Sequence, residues 1–393
     1  MPKISVATGA ADAPRAASRL ILLGLGIALV ATGLAELRRW QASGSDTRSP
    51  AQVQHASASN LTLTKLSEEL IPMPAGVPSA HASTLAALPG NSLLAFWWAG
   101  SRESGPDVKV YTSRLTGGKW SASREVASRE TLGAALGFGV RRIGNPVAWT
   151  DRNGKVHLYV VATGLGGWAA SRIVHLVSTD LGEHFGVLRV LPMSPMFNSS
   201  ALIRTTPVAL ADGGWWLPVY FELGVKYPML MAFDERGDPR WIARIGKRTA
   251  SLQPAVVATT GTEAHAWMRD ASNDHKVQHA VSHDAGASWQ DQAPLDVANY
   301  NSSVAAYRLS NGATLMLRNY VPKGGEARNV LRLSLSNDAR SWKDLLDVVK
   351  GNADEEFSYP ALQQVGDEVH ITYTSRRQAI AHHVYRINYG ADL

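Results

Sequence analysis

Arginines, one tyrosine and two loop carboxylates are the residues of this chain whose types and settings suit chemistry. Arg269 lies in AWMRD, Arg318 in TLMLRN and Arg328 in EARNVLRL. Arg376 and Arg377 follow the apolar run EVHITYTS, and Tyr359 sits in FSYPAL. Glu103 and Asp107 share the segment SRESGPD, where Gly105 and Pro106 favour a projecting loop. Guanidinium groups hold carboxylates by charge-assisted, often bidentate hydrogen bonds. A loop carboxyl group can move a proton, and a tyrosine hydroxyl can act as a nucleophile.

Composition narrows the classes. The chain has 393 residues and no cysteine, which removes disulfides, thiolate zinc sites and cysteine nucleophiles. Charged residues are only 18% against 45% apolar ones, so a large core is expected. The net charge of +6 is spread without a block of like charges, which argues against nucleic acid as a partner. No His/Asp/Glu spacing suggests a metal site, and Asp274-His275 and His382-His383 read as surface or strand residues. No Gly-rich segment has the strand-then-helix setting of a phosphate loop. Neither cofactor nor metal is expected. Twelve Trp against seven Phe is unusual, and it suits β-proteins that handle sugars as well as structural repeats.

The elements that must position these residues begin after an N-terminal apolar segment. Leu20 to Ala35 is a run of 16 uncharged residues, preceded by Lys3, Arg15 and Arg19 and followed by Arg38 and Arg39. It is short for a bilayer anchor and long for a signal-peptide core. The division expected is a basic tail at 1–19, an anchor or signal segment at 20–37, a flexible linker at 38–60 and one domain at 61–393. The domain is then expected outside the cytoplasm, tethered to the inner membrane, or secreted if the segment is cleaved.

From Leu61 onward, short runs such as SLLAFWW, KVHLYVVAT, GWWLPVYFE and EVHITYT alternate with Gly/Asn/Asp/Ser clusters. They read as strands in an all-β chain. The turns repeat. Ser178 to Phe185 and Ser282 to Trp289 have the form S-x-D-x-G-x-x-aromatic. Ser113 to Trp120 lacks the Asp, Ser336 to Trp342 is one residue short, and a weaker copy ends at Trp241. Asp accepts backbone N–H bonds across such a turn, Gly supplies φ > 0, and the aromatic packs between strands. A recurrence of about 55 residues suits four-stranded propeller blades, about six of them over 61–393, with the two chain ends sharing a blade.

The eight-residue turn resembles the Asp box, or BNR repeat, of sialidases. HASTLAALPGNSLLAFWWAGSRESGPDVKVYTSR, RIGNPVAW, SLQPAVV, NSSVAAYRLSNG and EEFSYPALQQVGDEVHITYTSRRQAIAH are similar to bacterial predicted neuraminidases. The resemblance covers nearly all of the chain after residue 75. It implies a six-bladed propeller with a clamp of three arginines on a substrate carboxylate. It also implies a tyrosine nucleophile activated by a Glu, and a loop carboxyl group as acid/base. On that basis Tyr359 is the nucleophile candidate, and Glu103 or Asp107 is the acid/base. Arg318 and Arg328 resemble the second and third clamp arginines, and Arg269 is a further inward candidate. Alternation along a strand lets at most one of Arg376 and Arg377 serve the site, and Arg376 is the candidate.

Two positions depart from the pattern. His81-Ala82-Ser83-Thr84 stands where the first clamp arginine would be, leaving His81 to meet an acidic sugar. Ala305, Ala306 and Tyr307 stand where the activating Glu would fall, with Glu222 or Glu356 as substitutes. Glu356 is three residues before Tyr359, so a regular strand would send the two to opposite faces. Asn145-Pro146, Arg204 with Pro207, and Gln253-Pro254 recur as starts of inner strands, with Asn145 and Gln253 candidates for sugar hydroxyls. The resulting expectation is a sialidase-like glycoside hydrolase acting on a terminal acidic sugar. A lyase acting on a uronate glycan and a non-catalytic glycan-binding propeller are the alternatives.

Overall fold

The computed structural model describes residues 13–40, 61–194, 198, 200–259, 261–322, 325 and 327–389. The expected linker, apart from residues 38–40, lies outside them. So does most of the expected basic tail. Ala13–Trp40 is one helix, and its stretch Ala16–Arg38 is predominantly apolar and has no buried residue. Twenty-three residues rise about 35 Å, enough to cross a hydrocarbon core of about 30 Å.

Six antiparallel sheets make a six-bladed propeller. Blade 1 runs Ser79–Leu88, Ser92–Gly100, Lys109–Thr116, with Lys119–Trp120 and Arg124–Ala127 outside. Blade 2 is Arg142–Thr150, Val156–Thr163, Ser171–Ser178 and Gly186–Val190. Blade 3 opens with Ala201–Ile203 and Val208–Ala209 and continues with Trp215–Leu223, Val225–Phe233 and Pro239–Arg244. Blade 4 is Ser251–Ala258, Ala264–Asp270, Gln278–Ser282 and Gln290–Asp291. Blade 5 is Val304–Arg308, Thr314–Asn319, Val330–Ser336 and Lys343–Lys350. Blade 6 takes Phe357–Val365, Glu368–Ser375 and Ala379–Asn388 from the end of the chain and Thr62–Leu70 from its beginning.

The inner and second strands are buried on both faces, which explains their near-continuous apolar runs rather than a clean alternation. Apolar clusters fill the junctions between neighbouring blades all round the ring, for instance Phe96 with Leu158, Tyr159 with Trp215, and Leu317 with Phe357. The repeated turns cap these junctions. Asp180 accepts from the backbone N–H of His184 at 2.9 Å, and Asp284 accepts from that of Ser288 at 2.8 Å. Gly286 has φ +86°, and a Cβ there would lie 2.9 Å from Trp216 of the preceding blade. Only glycine lets this turn close on its neighbour. One short helix, Arg129–Leu136, links blades 1 and 2. Ser128 caps it by accepting from the backbone N–H of Thr131.

Candidate functional site

Each inner strand starts on the face of the ring opposite the Asp-box turns. In four blades a bulge interrupts this start, between His81 and Thr84, Ile143 and Pro146, Leu252 and Ala255, and Ser358 and Ala361. Three of the bulges carry an X-Pro pair, Asn145-Pro146, Gln253-Pro254 and Tyr359-Pro360. Proline lacks the ladder donor, and a bulge re-aims the side chains around it. Ala82, Gln253 and Tyr359 take positive φ of 57°, 51° and 54° at these places. Non-glycine residues held there cost about 1–3 kcal/mol each, a strain that clusters at functional sites.

Tyr359 therefore leaves the strand's alternation and packs against two groups. His81 meets its ring edge-on, with centroids 4.3 Å apart. The Arg204 guanidinium lies 5.2 Å from the ring centroid. Arg204 is 2% exposed and donates from Nη1 to the carbonyl of Ser83 at 3.2 Å and from Nη2 to that of Pro360 at 2.9 Å, tying blades 3, 1 and 6 together. Burial lowers its pKa to about 10. His81 is 2% exposed and neither ring nitrogen has a hydrogen-bond partner. Burial, reinforced by the nearby Arg377, pushes it down to about 3, so the ring is neutral.

Beside this group lies a cleft of about 490 Å³ lined by Asn301, Arg328, Glu356 and Arg377. Arg328 donates from Nη2 to the carbonyl of Asn301 at 2.8 Å and lies 3.6 Å from Glu356. Arg269 donates from Nε to Oδ1 of the same Asn301 at 2.7 Å. Arg377 donates from Nε to Glu356 at 2.7 Å and from Nη1 to Glu103 at 2.5 Å. Burial opposes the charge on Glu356, but the hydrogen bonds from Arg377 and Ser358 outweigh it and lower its pKa. Arg328 and Arg377 thus meet Glu356, Arg377 also meets Glu103, and Arg269 and Arg204 join the group through Asn301 and Tyr359, an excess of positive charge that suits an anion.

The sequence candidates divide accordingly. Tyr359, His81, Arg269, Arg328 and Glu103 belong to this connected group. Arg318 does not: on the second strand of blade 5 it bonds Asp344 at 3.2 Å beside Arg332. Arg376 does not either: it pairs with Glu355 on the surface, and Arg377 takes the inward place. The two arginines lie between strands, not after the last one, in a tight hairpin turn with φ 51° and 57°. The strand alternation used to choose between them therefore does not apply. Asp107 caps its own loop, accepting from the backbone N–H and the hydroxyl of Ser101, both at 2.7 Å. Asn145 donates to the carbonyl of Ile203 at 3.2 Å, joining blades 2 and 3. Glu222 pairs with Lys226 at 3.6 Å on a hairpin. Asn301 was missed, Arg377 was passed over for Arg376, and Arg204 was read as architecture alone. The recurring X-Pro pairs were the available signal for the bulges. Among the described residues no cluster of His, Cys, Asp or Glu could hold a metal ion.

The fold is shared with solved structures of low sequence identity. A Dyadobacter fermentans protein of unknown function superposes with a TM-score of 0.66 at 14% identity, covering 83% of this chain and 99% of the other. The Hadza microbial sialidase Hz136 gives 0.65 at 16% identity, with 78% and 66% covered. The Trypanosoma rangeli sialidase in complex with sialic acid gives 0.61 at 13% identity, with 85% and 60% covered. The chain thus spans less than two thirds of those two sialidases. No curated protein matches it. The family model described as a BNR repeat-like domain matches residues 91–371, and the chain belongs to that family.

Proposed function

We propose that this protein is a membrane-tethered, sialidase-like glycoside hydrolase acting on a terminal acidic sugar. One observation carries the reading. Four guanidinium groups and two carboxylates form one connected group beside a strained tyrosine whose hydroxyl, among the described residues, has no hydrogen-bond partner. In this reading Arg269 and Arg328 hold the sugar carboxylate by charge-assisted bonds. Tyr359 Oη attacks the anomeric carbon and gives its proton to the neutral imidazole of His81 as the glycosidic C–O bond breaks and the leaving oxygen takes a proton from Glu103. Water then attacks the aryl glycoside, Glu103 takes back a proton from it, and the released phenolate recovers its own from His81. Arg204 offsets the charge that develops on the tyrosine oxygen when it leaves.

His81 favours a second reading. A neutral imidazole with both nitrogens free, set against Tyr359, suits proton abstraction beside a uronate carboxylate. Elimination then forms the C4–C5 double bond and breaks the C4–O bond. Among the described residues no carboxylate bonds the Tyr359 hydroxyl, as a Glu-activated nucleophile would require. Incubating the full-length chain with sialosides and with uronate polysaccharides separates the readings. Hydrolysis adds one water to the products, whereas elimination gives an unsaturated uronate that absorbs in the ultraviolet. Tyr359→Phe should remove either activity. Turnover that survives it overturns both assignments, and glycan binding without turnover leaves the binding-only propeller.

A further inference from the structure

The central channel also opens on the Asp-box face, where the inner strands end. There all six blades contribute to a cavity of about 390 Å³, lined by Trp149, Thr150, Pro207, Val256, Tyr307 and Arg308 among others. That is the size of a small-molecule site. Arg308 is the sole charged residue of the lining. It is partly buried, and its one hydrogen bond runs from Nη1 to the hydroxyl of Thr314 at 3.1 Å. Among the described residues no carboxylate faces it, and burial alone lowers its pKa to about 10. Tyr307 accepts from Gln363 Nε2 at 3.0 Å, which leaves its phenolic hydrogen to donate elsewhere. A desolvated guanidinium without a counter-charge is costly, and an arriving anion removes that cost. Trp149 and Pro207 supply flat apolar surface beside it.

We infer that this second mouth binds a small organic carboxylate carried on a ring, with Arg308 holding the carboxylate. A uronate monosaccharide fits both the volume and the mixed lining. The site is independent of the arginine cluster on the other face and of the reaction proposed there. The occupant is set by charge complementarity, since a neutral sugar leaves Arg308 as it was.

Calorimetric titration of the full-length chain in detergent with glucuronate tests this. The variant Arg269→Gln/Arg328→Gln, which disables the other face, should retain one binding event. Adding Arg308→Gln should weaken that event about tenfold or more. Arg308→Lys keeps the charge, loses the planar fork and should fall between the two. Glucose should bind about tenfold more weakly than glucuronate. Absence of binding in the double variant overturns the inference, as does binding unchanged by both Arg308 substitutions. Sulfate binding as tight as glucuronate overturns the carboxylate-on-a-ring assignment.

Discussion

Arg204 shows how one buried side chain serves both architecture and site. Its guanidinium bonds two carbonyls from two other blades and underlies the Tyr359 ring, with no carboxylate among the described residues to balance it. Arg204→Met keeps much of the volume and leaves both carbonyls unpaired. It should destabilise the propeller by about 2–4 kcal/mol, measured by denaturant unfolding. Unchanged stability would show that the carbonyls find other donors. Arg328→Lys acts on the opposite balance: the fold is kept, the planar fork is lost, and affinity for an acidic-sugar ligand should fall about tenfold or more. Equal binding by the lysine variant would exclude a bidentate clamp. Tyr359, Arg269, Arg328, Glu103 and His81 were legible because each sits in a segment of recognisable order. Arg377 and Glu356 were legible as candidates but ranked behind others, because strict period-2 alternation would turn them away from the site. The turn at Arg376-Arg377 and the bulge at Tyr359 both break that period.

Within the blades, one side-chain arrangement recurs between second and third strands. His157 Nδ1 meets His175 Nε2 at 2.9 Å in blade 2, His265 meets His279 at 3.0 Å in blade 4, and His370 meets His382 at 3.0 Å in blade 6. An acid stands behind the first ring of each pair: Asp151 at 3.3 Å, Glu263 at 3.0 Å and Glu368 at 3.8 Å. The sequence reading took His382 for a surface or strand residue, and the structure makes it a fully buried strand residue. Burial lowers all six, with His279 and His382 reaching about 3 and His370 about 4. The folded state thus binds fewer protons than the unfolded one below the ordinary histidine value of about 6.5. Stability from these groups is complete above about pH 6.5 and is lost as pH falls toward 3–4, by up to about 1.4 kcal/mol per pH unit for each imidazole. Urea midpoints should therefore drop steeply between pH 6.5 and 4.5, and His279→Gln should flatten the slope. A midpoint independent of pH in that window would contradict the buried neutral pairs. The Asp-box turns make a separate element. Asp284→Ala removes acceptors used by Ser282, by the Ser288 hydroxyl and by the Ser288 N–H. It should cost about 1–3 kcal/mol and leave ligand binding on the far face unchanged.

At the scale of the whole molecule, the Asp-box period and the strand runs made the ring legible before any coordinates. The four bulges that shape its centre have no such signature beyond X-Pro pairs. The excess of Trp also divides differently at this scale. Trp97, Trp98 and Trp267 are core residues at 0%, 3% and 0% exposure. Pleated blades wedged side by side need large planar fillers, and most of the tryptophans serve that need. Closure is the remaining consequence. Thr62–Leu70 is the outer strand of blade 6, paired along its length with Ala379–Asn388, and Ile71 packs with Ile380 in the junction of blades 6 and 1. A chain started at residue 61 keeps this strand, whereas one started at residue 72 leaves an open edge and a broken junction. The first should fold as a soluble propeller with a cooperative transition. The second should lose near-ultraviolet dichroism or aggregate. A cooperative, monomeric fold from the shorter chain would show that three strands suffice for blade 6 and that closure across the termini contributes little.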